Sequence, residues 1–137
     1  MLHTTKIKVR GYHLDLFGHV NNARYLEFLE EARWSLFEER GDLAWFLQSG
    51  LALAVVNINI DYRLPALMGD QLAIETGIKS IGNRSAVIHQ RVLKEGSDKV
   101  IAEADVTFVI FDAKSNKAVP LEGRLKELLD GMSAETA

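Results

Sequence analysis

Only one stretch of this chain has the period of a long helix, and most of the chain beyond it has the period of a strand, so any fold must lay a sheet against a single helix. From Ala23 to Arg40, Leu26, Leu29, Ala32, Arg33, Leu36 and Phe37 recur at three- and four-residue spacing, with Glu27, Glu30, Glu31, Glu38 and Glu39 mostly elsewhere. Asn21 is a good N-cap, Val20 before it can staple against Tyr25, and Gly41 supplies the stop. A shorter helix is expected from Asp42 to Ser49, and a C-terminal amphipathic helix from Leu121 to Met132 with a frayed tail.

The remaining segments read as strands. Thr5 to Arg10 alternates ahead of the helix. Beyond Gly50, Val56, Ile58, Ile60 and Tyr62 interleave with Asn57, Asn59, Asp61 and Arg63 until Pro65 ends the ladder. Leu72 to Ile81, Ser85 to Lys94 and Val100 to Phe111 come next, separated by Gly82-Asn83 and Gly96-Ser97-Asp98, and Asp112 to Lys117 makes another turn. Short connections make these strands antiparallel neighbours in a meander. The expected class is α+β, one long helix wrapped by an antiparallel sheet, with residues 1–137 as one domain because 137 residues suit one core.

Composition narrows the chemistry. The absence of cysteine removes thiolate nucleophiles, disulfides and cysteine metal ligands, and fits the reducing cytoplasm. His3, His13 and His89 lack metal-ligand spacing, and no metal or cofactor is expected. A net charge of −3 without a Lys/Arg run argues against nucleic acid, and no segment approaches the ~20 apolar residues that span a bilayer.

Reactive side-chain types gather in the loop before the long helix: Tyr12, His13, Asp15, Gly18, His19, Asn21 and Asn22. A helix start offers unpaired N–H groups and partial positive charge, able to hold an oxyanion, and Asn22 and Ala23 are the expected donors. Asp15 beside that end would stay a carboxylate, able to attack or to activate water, while His19, Asn21 and Asn22 orient water or a carbonyl. The same residue types are also the vocabulary of caps and turns. Tyr25, one turn into the helix, is the leading candidate for lining an apolar slot with Leu29, Phe37 and Ile58, positions that core packing explains equally well.

Three segments carry a family resemblance: RGYHLDLFGHVNNARYLEFLEEARW at 10–34, VNINIDYRLPA at 56–66 followed by Gly69-Asp70, and ADVTFVIFD at 104–112. Together they resemble the 4-hydroxybenzoyl-CoA thioesterase branch of the hotdog fold, in particular the FadM type of long-chain acyl-CoA thioesterase. The resemblance implies a hydrolase of fatty acyl-CoA, with Asp15 as catalytic carboxylate and the backbone amide near Asn22 as oxyanion donor. It also implies homodimers whose sheets join edge to edge, often paired again into tetramers, with sites at the subunit boundary. The run His19-Val20-Asn21-Asn22 further resembles the HVNN of plant acyl-carrier-protein thioesterases. Their D-x-N-x-H-V-N-N pattern is broken here by Phe17, so Asp15 is placed first and His19 second. CoA phosphates call for local cations, and Arg63, Lys79 and the Arg84-Ser85 turn are candidates. Two alternatives compete: an enoyl hydratase or dehydratase, whose Gly-His-Phe-Pro segment is missing, and a non-catalytic module binding acyl-CoA or acyl carrier protein.

Overall fold

The long helix is set by its caps. In the computed structural model, which describes residues 2–133, α1 spans Asn22–Arg40. Its first turn is closed by Asn21, whose Oδ1 accepts from the Ala23 amide at 2.9 Å. Its last turn closes when Gly41 N–H donates to Phe37 O at 2.9 Å. A Cβ at Gly41 would meet the Phe37 ring at 2.9 Å and Met132 Sδ at 3.0 Å, so glycine is required by close approach. Asp42 then caps α2 (Leu43–Gln48).

The stripe α1 buries is Tyr25, Phe28, Leu29, Ala32 and Leu36. Leu26, assigned to the apolar stripe by spacing, is 38% exposed, whereas Tyr25 and Phe28 are buried. Val20 and Tyr25 lie in one cluster at the helix start, and this staple with the Phe28 ring turns the helix slightly from the face that aliphatic spacing alone suggests.

Beneath the helix lies an antiparallel sheet of β1 (His3–Lys8), β2 (Leu51–Tyr62), β3 (Gln71–Ile81), β4 (Ser85–Lys94), β5 (Val100–Asp112) and the short β6 (Lys117–Ala118). The order is β1-β3-β4-β5-β2, with β6 on β5. The β3–β4–β5 run is the expected meander, but β2 pairs with β5 across the sheet, and β1 takes the edge of β3. The link from Arg63 to Asp70 is too long for a tight hairpin. Arg63 and Leu64 instead donate to Ile101 O at 2.9 and 3.1 Å, carrying the chain across the end of β5. β2 begins five residues before the expected Val56, because the Leu-Ala-Leu-Ala run lacks a polar alternation, and a bulge between Val55 and Asn57 resets the phase.

Inner-face residues Leu72, Ile74, Ile78, Ile88, Val92, Val106, Phe108 and Ile110 are buried against α1 and against α3 (Gly123–Gly131). Full burial of side chains of this size contributes roughly 1.5–3 kcal/mol each. Gln90, fully buried, ties helix to sheet: its Nε2 donates to Leu29 O at 3.0 Å and to Thr76 Oγ1 at 3.1 Å. The tail expected to fray beyond Ser133 lies outside the described residues. Among the described residues no helix is long and apolar enough to cross a membrane.

Candidate active site

The loop from Arg10 to Asn21 is built almost entirely by its own main chain. A 3-10 turn at Gly11–His13 opens it, and Arg10 N–H donates to His13 Nδ1 at 2.9 Å. His13 is buried with its ring edge-on to Phe28, and burial pushes its pKa down, helped by the charge of Arg24. With Nδ1 accepting from Arg10 and the ring packed on Phe28, this histidine holds the turn together. The chain then doubles back: Leu14 bridges Val20, Asp15 N–H donates to His19 O at 2.8 Å, and Gly18 N–H donates to Asp15 O at 3.1 Å. Gly18 sits at φ +78°, where a side chain is disfavoured.

Asp15 stands at the head of this hairpin. Its Oδ1 accepts from Phe17 N–H at 2.9 Å and from His19 N–H at 3.3 Å, the aspartate turn that short loops favour. Oδ2 has no protein partner among the described residues, and the side chain is open to solvent. One oxygen is therefore anchored and the other is free to act.

The hairpin is fastened to the helix start and to the segment after β2. Val20 N–H donates to Ala66 O at 3.0 Å, Asn21 N–H to His13 O at 2.9 Å, and His19 bridges Leu67. At the helix start the two expected donors part company. Ala23 N–H is consumed by the Asn21 cap, whereas Asn22 N–H has no acceptor among the described residues. Tyr25 Oη accepts from Ala66 N–H at 3.3 Å, and burial pushes its pKa up, with the charge of Asp15 among the smaller contributions in the same direction. Tyr62 donates to Asn22 O at 3.2 Å, and its ring lies 5.4 Å from that of Tyr25. Sequence reading singled out no role for Tyr62, although alternation along β2 puts it on the helix side at the strand's end. Tyr12, Leu16, Phe17, Leu64, Leu67 and Met68 form an exposed apolar rim around the loop, Leu16 and Phe17 at 93% and 79% exposure.

Asp15, His19, Asn21, Asn22 and Tyr25 thus occupy one locality, and the cations do not. Arg63 leaves the chain nearby, but its guanidinium turns to the outer face of the sheet, 3.3 Å from Glu103 and 3.7 Å from Asp61. There it lines a polar hollow with Lys79, His89 and Asp105. Arg84 and Ser85 lie in the turn where Gly82 N–H donates to Ser85 O, at the start of β4. The far end of β4, Lys94, is 3.5 Å from Asp70 beside the Asp15 loop. Ten residues of strand place the turn roughly 30 Å away within one protomer. Of the expected slot residues, Tyr25 and Leu29 are core, Ile58 packs against the core, and Phe37 lines a groove between α1, α2 and β2.

A sequence profile of the thioesterase-like superfamily matches residues 9–129. The long-chain acyl-CoA thioesterase FadM of Escherichia coli K12 is 48% identical over 128 residues, covering 93% of this chain and 97% of that protein. The chloroplastic acyl-acyl carrier protein thioesterase ATL2 of Arabidopsis thaliana is 32% identical over 82% of this chain, which spans 60% of it. Among solved structures, the probable thioesterase YbaW of Escherichia coli superposes with a TM-score of 0.90 at 48% identity, covering 95% of this chain and 98% of that one.

Proposed function

The chain belongs to the thioesterase-like superfamily, and on that premise we propose that it hydrolyses fatty acyl-CoA, long-chain esters foremost, to free fatty acid and CoA. The observation that carries this reading is the Asp15 carboxylate, anchored through Oδ1 and open at Oδ2, in a loop fastened to a helix start whose first amide is unsatisfied.

The chemistry comes from those two groups. Asp15 Oδ2 either attacks the thioester carbon or takes a proton from an attacking water; both routes need the charged carboxylate. The carbonyl oxygen gains charge as the carbon becomes tetrahedral, and the Asn22 N–H at the positive end of α1 stabilises it. Collapse breaks the C–S bond and releases CoA as a thiolate, which then takes up a proton; on the direct-attack route the acyl group is left on Asp15 as a mixed anhydride, which water hydrolyses to the fatty acid and the restored carboxylate. His19, exposed beside Asp15, orients water, and the amide nitrogen of Asn21, free of the cap made by its oxygen, reaches substrate. Tyr25 and Tyr62 wall the site.

The whole chain serves as one catalytic domain in the cytoplasm, its copies joined through the free edge of β2 into dimers and paired again into tetramers. Such an assembly suits the apolar rim around Asp15. It is also the means by which Arg84 and Ser85, distant from Asp15 in their own protomer, meet the CoA phosphates of a neighbour's site, while Arg63 acts closer by.

A thiol-release panel across acyl lengths, on CoA and on acyl carrier protein, tests the reading. We expect rapid release from long-chain CoA esters and slower release from the carrier protein. Hydration of an enoyl-CoA without free thiol would select the hydratase reading, and acyl-CoA binding without turnover would select the non-catalytic one.

A further inference from the structure

α1 carries a second group of coupled side chains that the proposed hydrolysis does not use. Ser35 and Glu39, four residues apart, share one face of the helix, and His3 of the edge strand β1 touches both. His3 Nε2 lies 2.8 Å from Ser35 Oγ, and His3 Nδ1 lies 2.6 Å from Glu39 Oε2. A carboxylate only accepts, so Nδ1 carries the proton that meets Glu39, and in the neutral ring Nε2 is left to accept from the Ser35 hydroxyl. That is the tautomer a histidine needs to take a proton from a serine, with an acid holding the ring from behind. The His3 side chain is 9% exposed and so held in place, whereas Ser35 is half-buried and the Glu39 side chain reaches water. Ser35 stands roughly 20 Å beyond Asn22 along the helix at ~1.5 Å per residue, so the group is separate from the Asp15 loop.

Nucleophile, base and orienting acid are thus within hydrogen-bond reach in sequence. Oxyanion donors are missing from the set, because amides in the middle of a helix are spent on carbonyls one turn back. Only an ester with a good leaving group suits such a nucleophile. Glu31 and Glu38, exposed on the neighbouring turns, add their charge to that of Glu39 beside Ser35, so an anionic ester is repelled and an uncharged one is not. We propose that Ser35 is a second nucleophile, which takes the acyl group from small, uncharged, activated esters. Ser35 Oγ bonds to the acyl carbon as its proton passes to His3 Nε2. The bond from that carbon to the leaving oxygen breaks, and the departing oxygen takes the proton from His3. Water, deprotonated by the same histidine, later removes the acyl group as a carboxylic acid and restores the serine. Without oxyanion donors this second step is slow, so acyl-Ser35 accumulates.

The test uses the full chain carrying Asp15→Asn, which silences the proposed hydrolytic carboxylate, with p-nitrophenyl acetate as the probe and peptide mass mapping as the readout. Ser35 should gain an acetyl group ahead of every other residue, with a matching burst of p-nitrophenolate. His3→Gln should slow acetylation of Ser35 roughly 10²-fold or more, the loss expected when a general base is removed. Glu39→Ala should slow it as well at an unchanged unfolding midpoint, and Glu39→Gln, which keeps an oxygen able to accept from Nδ1, should recover most of the rate. An aryl acetate with a carboxylate on its leaving group should react more slowly than p-nitrophenyl acetate, and Glu38→Gln should narrow that gap. Should His3→Gln fail to fold, Glu39→Ala, on an exposed position, carries the test in its place. Acetyl groups scattered over lysines with Ser35 unmodified, an unchanged rate in folded His3→Gln or in its substitute, or an anionic ester that reacts as fast as the neutral one would each overturn the proposal. Any of these results would leave the hydrolysis at Asp15 standing, since no residue is shared between the two sites.

Discussion

Asp15 and Asp105 are both aspartates held by two donors, and they do opposite things with them. Asp15 spends one oxygen on the amides of Phe17 and His19 and keeps the other open. Asp105, on the outer face of β5, spends both: Oδ1 lies 2.7 Å from His89 Nδ1 and Oδ2 lies 2.9 Å from Lys79 Nζ. Burial pushes the Asp105 carboxyl up, but the hydrogen bonds from His89 and Lys79 and their charges outweigh it and hold it below the usual carboxylate value. Because the folded pKa lies below the unfolded one, its contribution to stability is complete above about pH 4 and is lost as pH falls through the folded value. Denaturant unfolding of Asp105→Asn should therefore show a deficit against wild type at pH 7 that narrows steadily below about pH 4. A deficit that stays constant down to pH 2 would contradict this pairing. The Asp15 loop was legible as residue types before a helix, but the division of labour between its oxygens was not. Nor was the loss of Ala23 N–H to the cap, since both depend on how a short hairpin closes.

At the scale of elements, α1 is the piece that sequence described best, because its ends are chemical signals. Asn21 and Gly41 act as cap and stop as expected. Asn21→Ala should lower stability by about 0.5–2 kcal/mol in urea unfolding, since it strips the acceptor from Ala23 N–H. A change below a few tenths would mean that water replaces the cap. The hairpins β3–β4 and β4–β5 were legible for the same reason, each having glycine at its turn. What escaped were pairings that no local signal encodes. β2 crosses to β5 because of where Arg63 and Leu64 find an acceptor, and its first five residues read as an undifferentiated apolar run. The direction of the Arg63 side chain was lost likewise: it follows Asp61, two residues back in β2, and Glu103, which the register sets opposite Asp61 only once β2 and β5 are paired.

For the whole molecule, the unfinished feature is β2, a twelve-residue edge strand with Val55 and Val56 exposed near its middle and no partner on its outer side among the described residues. Edges of this length seldom stay bare. Light scattering should give a dimer or larger, and Val56→Asp should shift the protein toward monomer and make turnover fall on dilution. A wild-type monomer with full activity would remove the shared site. The proposed hydrolysis converges on the carboxylate at the head of one small hairpin. Asp15→Asn is a clean probe of it, because the amide keeps an oxygen able to accept from Phe17 and His19 and gives up only the charge. With a purified long-chain acyl-CoA, we expect kcat to fall by roughly 10²–10⁴-fold while KM and the unfolding midpoint stay close to wild type. Turnover within a factor of a few of wild type would show that hydrolysis runs without this side chain and that the account of the site is wrong.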